Sequence, residues 1–324
     1  MKIEIIGSGR NNLVSKICYK KKIYIYKKYI NKKGNGINYS RYNSETNFIN
    51  FLRKKRIKNL PYIIATNSKT QENIFNYING SKINKITKKD ILQCVHFIKT
   101  INKDSFKKNF KNLKKATEAC VSIDDHISTA DKRILMLSRF PKDYGIYKDA
   151  KFFVNNTLKK KLNEIKKNIF KSFSKKEIRK KLNKKNLILS PSDFGFHNVI
   201  KKNRKLYFID FEYAGLDDPV KLISDFICQP DHKLSEVQSY FFYKNIIKIF
   251  PQKKSITRRL KAVINVHVIK WCCVILSEIL NNKYFERRKF AKSNININKC
   301  FYKAKKYYNQ NIKKITFKDF KHEY

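Results

Sequence analysis

The chain has 324 residues, 42% hydrophobic and 14% aromatic, which excludes a disordered polymer and fits one large bilobal domain or two small ones. A formal charge of +49 raises a nucleic-acid reading, but 62 Lys against 12 Arg, with Ile, Asn, Tyr and Phe also abundant, is the skew of A- and T-rich codons. A base-reading groove would favour Arg, so no nucleic-acid partner is expected. Seven Cys without a Cys-x-x-Cys pair point to reduced thiols in a cytoplasmic protein.

Residues 1–78 read as a β-rich lobe. Ile3 to Ile6 forms a strand whose Met-Lys-Ile-Glu start is too short and too charged for a signal peptide. Gly7-Ser8-Gly9 turns the chain, and Leu13 to Tyr19 and Ile23 to Tyr29 are strands joined by Lys20-Lys21-Lys22. A helix follows from 42 to 56, ending near Pro61, and then strands at 62–66 and 72–78. The loop Gly7-Ser8-Gly9-Arg10-Asn11-Asn12 suits either a dinucleotide-binding turn or a phosphate-covering hairpin. The alternation after it, and the lack of an acid about twenty residues on, select the hairpin. Asn12 then stands at the third glycine position, and Val14 where that motif places a Val.

Lys27, at the end of the third strand, would neutralise nucleotide phosphates, and Glu45, one turn into the helix, is the acid to hold it. Strand period puts Lys27 on the face of Ile23 and Ile25, and Lys28 on the face of Tyr24 and Tyr26. Phe75-Asn76-Tyr77-Ile78-Asn79-Gly80 closes the lobe. As a connector it either offers backbone groups at Asn76, Tyr77 and Ile78 to an adenine ring or merely links two lobes.

From residue 79 to 324 the pattern is mainly helical. Thr87-x-x-Asp90 forms a capping box ahead of Ile91, Val95 and Ile98. Helices are expected over 115–138, 150–184, 218–228, 234–248, 256–281 and 287–314. Lys159 to Lys161 lie on the outer face of one of them, opposite Leu158, Leu162, Ile165 and Ile169. Ala262 to Leu280 is apolar but carries His267, Lys270 and Glu278, so it reads as a buried helix and not a membrane span.

One segment interrupts the helices. Leu187-Ile188-Leu189 is a short buried strand, Pro191 keeps the chain extended, and Asp193-Phe194-Gly195-Phe196-His197-Asn198 follows. Val199-Ile200 and Leu206 to Ile209 are the arms of a hairpin that delivers Asp210-Phe211-Glu212. An Asp five residues before an Asn, with a second Asp just after a strand about a dozen residues on, is how phosphoryl transfer places a base and two magnesium ligands. Asp104 and Asn109 repeat the spacing by chance, without flanking strands or a second acid.

Together the loop, Lys27, Glu45, the connector, Asp193-x4-Asn198 and Ile209-Asp210-Phe211-Glu212-Tyr213-Ala214-Gly215 resemble the aminoglycoside phosphotransferase and choline kinase superfamily over residues 1 to about 230. The resemblance implies an α+β, protein-kinase-like bilobal fold: a small antiparallel N-lobe sheet with one helix, and a larger helical C-lobe carrying the catalytic hairpin. It implies ATP and Mg2+, with Asp193 accepting the proton of a small acceptor's hydroxyl, Asn198 and Asp210 holding metal, and Gly7, Ser8, Gly9, Asn12, Lys27 and Glu45 serving the nucleotide. Pro191 stands where the family has His, so something else braces the catalytic loop. Leu222 replaces a family Asp that Asp225, a turn on, could replace. With only 25 acids, thin over 211–324, a neutral or anionic metabolite or sugar is expected rather than a polycationic aminoglycoside, with Glu212, His232 and Trp271 as candidate contacts. No membrane partner is expected.

Overall fold

The computed structural model describes residues 2–8, 12–29, 40–103, 113–138, 144–280 and 296–313. Alternating residues at the N-terminus form strands β1 (Lys2–Ser8), β2 (Asn12–Tyr19) and β3 (Lys22–Tyr29). Lys20 and Lys21 both take positive φ, 46° and 60°, the two-residue hairpin turn whose twist matches the strands it joins. Ser40 caps helix α1 (Arg41–Lys54) by accepting from the Asn43 N–H, and β4 (Ile63–Asn67) and β5 (Glu72–Asn76) follow. The five strands form one sheet in the order β1-β2-β3-β5-β4, antiparallel throughout. The expected segment Gly7 to Asn12 is strand as far as Ser8 and again from Asn12, while Gly9 to Asn11 lie outside the described residues.

Helix α2 (Lys88–Ile101) opens on the capping box read from the sequence, with the Asp90 N–H donating to Thr87 and the Thr87 N–H to Asp90. Next come α3 (Ile123–Leu137), α4 (Gly145–Phe152), a π-helical stretch Phe153–Leu158, α5 (Lys159–Ser172) and the short α6 (Lys175–Arg179). The helix expected from 115 starts eight residues later. Residues 114–117 instead pair as extended chain, with Ala116 donating to Leu216, Leu216 to Lys114 and Thr117 to Tyr213, and Ser122 then caps α3. Strand β6 (Ile188–Ser190) precedes the hairpin β7 (Val199–Lys202) and β8 (Lys205–Phe208), which turns at Asn203 and Arg204, both at positive φ. After β9 (Gly215–Asp217) the chain is helical: α7 (Pro219–Cys228), α8 (Glu236–Ile246), α9 (Lys253–Leu276) and α10 (Ile297–Asn311). The chance pair Asp104 and Asn109 lies outside the described residues.

Contacts divide the chain into two units. One unit takes Met1–Thr117, Leu189–Leu216 and Asn282–Ser293; the other takes Glu118–Ile188, Asp217–Asn281 and Asn294–Tyr324. In the first, aromatic rings support the loops that follow. Phe97 of α2 stacks on Phe208 at 4.1 Å between centroids, Phe194 lies 5.6 Å from Phe208, and Phe211 packs on Phe48 of α1 at 4.8 Å. At Gly80 an added Cβ would sit 2.6 Å from the Lys201 carbonyl, and Ser81 and Lys201 exchange both backbone hydrogen bonds, which pins the hairpin to the segment leaving β5.

In the second unit α9 is the central helix. It is long and apolar enough to cross a membrane, yet Val263, Ile264, Val266, Val268, Ile269, Cys272 and Cys273 are all buried among other helices, as the sequence pattern implied. The buried His267 and Lys270 meet Asp225 of α7, to which Trp271 also donates, and Arg259 meets Asp218. Lys221 adds ion pairs to Asp217 at 3.1 Å and Asp225 at 3.2 Å.

Candidate active site

Lys27 is the buried cation of the first unit. Its ammonium lies 2.6 Å from Glu45 and 2.6 Å from Asp210, and the residue is 6% exposed. Burial alone disfavours the charged form, but the Asp210 and Glu45 carboxylates outweigh it and hold the Lys27 pKa well above the usual lysine value. Lys28 points the other way, half-exposed and paired with Glu72, as strand period requires.

Glu45 is a hub. One oxygen accepts from Lys27 and from the Tyr29 hydroxyl, each at 2.6 Å, and the other accepts from the backbone N–H of Phe211 at 3.0 Å. Asn73 of β5 donates to the Tyr29 hydroxyl and to Thr46, so β3, β5, α1 and the segment after Asp210 meet on one buried carboxylate. Tyr29 and Asn73 were not singled out from the sequence. Their signal is positional: Tyr29 is two residues from Lys27, and Asn73 is its cross-strand partner.

The loop from Asp193 to Asn198 is shaped by alternating anchors. Phe194 and Phe196 are buried, at 3% and 4% exposure, while the side chain of Asp193 between them and β6 is 31% exposed. A single turn, Phe196–Asn198, closes the loop: the Asn198 N–H donates to Gly195 and its side-chain amide donates to the Asp193 carbonyl at 2.9 Å. His197, also overlooked in the sequence, places Nε2 3.1 Å from Asp193 Oδ1. The Ile209 N–H donates to the Asn198 carbonyl, so the loop is tied to the chain one residue before Asp210. Hydrogen bonds from Asp193 through Asn198 to Ile209, and then the chain itself, link the loop to the Asp210, Lys27 and Glu45 cluster, all within one unit.

Two non-glycine residues here hold left-handed backbone, Ser192 at φ 67° and Asp210 at φ 64°. That conformation costs about 1–3 kcal/mol each and clusters at functional sites. Its effect at Asp210 is to let the side chain reach back to Lys27 while Phe211 stays in the core.

Glu212 is buried, bonded by the Asn12 side-chain amide and faced by Arg41 at 3.9 Å. Burial and the nearby Asp210 carboxylate push its pKa up against the pull of Lys27 and Arg41. Asn12 is 4% exposed, and its Oδ1 has no hydrogen-bond partner among the described residues. The connector is sheet-bound at first. The Asn76 N–H donates to Tyr62, and its Oδ1 accepts from the Tyr62 N–H at 2.7 Å; Tyr77 lies under Lys16, and Ile78 is buried. His232 donates from Nε2 to the Phe226 carbonyl and Trp271 donates to Asp225, both inside the helical unit. Asp225 is likewise committed to its cations, which together with His267 hold its pKa well below the carboxylate range despite its burial.

Magnesium demands hard oxygen donors and keeps several waters, so one or two protein ligands beside phosphate oxygens suffice. Asn198 and Asp210 fit. With its nitrogen engaged by Asp193, the Asn198 amide has its oxygen to offer, and Asp210 is bound to Lys27 through one oxygen while its side chain remains 39% exposed. Among the described residues no group of three or more His, Cys, Asp or Glu surrounds a cation position, so phosphate and water would complete the shell.

No family model matches the sequence, and no curated protein matches it. The fold does match solved structures over nearly the whole chain. An ethanolamine kinase of Plasmodium vivax is 18% identical, covers 94% of this chain and 81% of its own, and superposes with a TM-score of 0.53. A choline kinase of Cryptosporidium parvum is 14% identical over 98% and 93%, with a TM-score of 0.54. A spectinomycin phosphotransferase bound to AMP is 16% identical over 94% and 92%, with a TM-score of 0.58. At such identities the likeness shows the fold alone, the mixed α+β fold that these ethanolamine, choline and spectinomycin kinases share. These neighbours are small-molecule kinases, and the spectinomycin enzyme is seen with ADP as well as AMP.

Proposed function

We propose that this chain is an ATP-dependent phosphotransferase that moves the γ-phosphate to a hydroxyl of a small molecule. The observation that carries the reading is the buried Lys27 held by Glu45 and Asp210 in the same unit as the Asp193 to Asn198 loop. Lys27 binds the nucleotide phosphates, and the residues around Asn76, Tyr77 and Ile78 border the adenine. Asp193 orients the acceptor hydroxyl and takes its proton as the oxygen bonds to the γ-phosphorus and the bond to ADP breaks. Asn198 and Asp210 would hold magnesium, which supplies charge neutralisation along the phosphates. Positioning and charge do most of the work.

The acceptor is a neutral or anionic metabolite or sugar. A polycation would need free carboxylates, and the buried ones of the helical unit, Asp217, Asp218 and Asp225, are already paired with Lys221, Arg259 and Lys270. The test is ADP release from MgATP with a panel of hydroxyl acceptors: sugars and sugar derivatives, choline, ethanolamine, spectinomycin and gentamicin. Acceptor-dependent release that Asp193→Ala abolishes is expected with a sugar-type acceptor. Turnover that survives Asp193→Ala, or that only the aminoglycosides stimulate, would overturn the mechanism or the acceptor class respectively.

A further inference from the structure

Where the resembling family places His two residues before the catalytic Asp, this chain has Pro191, which carries no hydrogen-bond donor at all. His197 comes four residues after Asp193, and its Nε2 lies 3.1 Å from Asp193 Oδ1. The imidazole is well held. It rides on the turn Phe196–Asn198 beside the buried Phe196, and its side chain is 17% exposed.

That contact is not needed to close the loop. The Asn198 amide already bonds the Asp193 carbonyl, the Asn198 N–H bonds Gly195, and Phe194 and Phe196 fix the chain to the aromatic core. What the imidazole adds is control of the carboxylate itself. A donor at Oδ1 sets the plane of the carboxyl group, and an orientation error of about 1 Å at a reacting group costs about 100-fold in rate.

We infer that His197 is the positioning residue for Asp193, acting from the far side of the loop in place of the absent histidine. The inference rests on the phosphotransferase reading, and its experiment separates the two. Wild type, Asp193→Ala, His197→Ala and His197→Gln are assayed for ADP release from MgATP with the same acceptor panel and with water alone. His197→Ala lowers kcat about 10- to 100-fold and leaves KM for ATP and the melting temperature near wild type. Added imidazole restores part of the lost rate in His197→Ala and none in Asp193→Ala, and His197→Gln, which keeps an N–H donor, retains most activity.

A His197→Ala enzyme that turns over like wild type while Asp193→Ala is dead overturns the inference alone. Equal losses in kcat, KM and melting temperature with no imidazole rescue also overturn it, because they describe a structural residue. Turnover that is absent in wild type, or unaffected by Asp193→Ala, overturns the phosphotransferase reading and removes the role with it. The contact is tested without turnover by 15N imidazole spectra of the full chain. Asp193→Asn moves the His197 Nε2 signal if the hydrogen bond exists, and an unmoved signal refutes it.

Discussion

Replacing Glu45 with Ala removes one carboxylate and takes an acceptor from three donors at once. The Phe211 N–H loses its acceptor, the Tyr29 hydroxyl keeps only a donor facing it, Asn73, and Lys27 keeps Asp210 as its one bonded carboxylate. An orphaned buried donor costs about 1–3 kcal/mol, and breaking a buried ion pair from one side about 3–5 kcal/mol. Because Lys27 is still paired with Asp210, we place the total at about 3–5 kcal/mol rather than at the sum. Glu45→Gln keeps the volume and one acceptor and should cost about half as much. At about 2–4 °C per kcal/mol, Glu45→Ala lowers the transition of this unit by about 10 °C in scanning calorimetry. A double-mutant cycle of Glu45→Gln with Lys27→Met should show a coupling of about 1 kcal/mol or more. A Glu45→Ala transition within about 2 °C of wild type, or a cycle that closes to zero, would mean that water reaches this carboxylate and that the hub is not the element that joins the sheet to Asp210.

Asp210→Asn should weaken ATP binding by calorimetry at least about tenfold with magnesium present and far less in EDTA; equal losses in both would remove Asp210 as a metal ligand. Phe97→Ala should cost about 3–5 kcal/mol by urea unfolding, since its ring stacks on Phe208, which packs on Phe194 of the Asp193 loop, and a loss under 1 kcal/mol would refute that packing. Gly80→Ala, which drives a methyl against the Lys201 carbonyl, should destabilise by about 1–3 kcal/mol, and a neutral effect would show that the hairpin is not pinned there. Burial holds His267 at about 3, below 6.5 in the unfolded chain, so the unfolded state takes up the proton first as pH falls. The stability it supplies is complete above about pH 6.5 and drains away toward pH 3, by at most about 5 kcal/mol. Asp225 and Asp218, held below their usual value, act in the same direction below about pH 4, while Asp217, raised by burial, opposes them. Melting temperature should therefore fall from pH 7 to pH 4, less steeply in His267→Asn, and a flat wild-type profile would refute a neutral buried imidazole.

What could be read in the sequence was set by short range. Period 2 alone chose Lys27 over Lys28, and the Thr87 and Asp90 box marked the start of α2, because both depend on residues within a few positions of one another. The Asp193 to Asn198 spacing stood out from Asp104 and Asn109 through its flanking strands, which the structure bears out as β6, β7 and β8. Long-range pairing was invisible. Residues 114–117 carry a pattern compatible with helix, and only the backbone of Tyr213 and Leu216, about a hundred residues away, draws them into extended pairing. His197 escaped for a related reason: an i,i+4 contact suggests a helix, and here a tight turn in a loop produces it. Asp225 was noted as a stand-in for the missing family Asp, yet its partners Lys270 and His267 come from another helix that no local pattern connects to it.

The twisted backbone at Ser192 and Asp210 sets the direction in which this protein can drift. Glycine suits both torsions, yet at Asp210 glycine deletes a carboxylate that the buried Lys27 grips, and the lost ion pair outweighs the relieved strain.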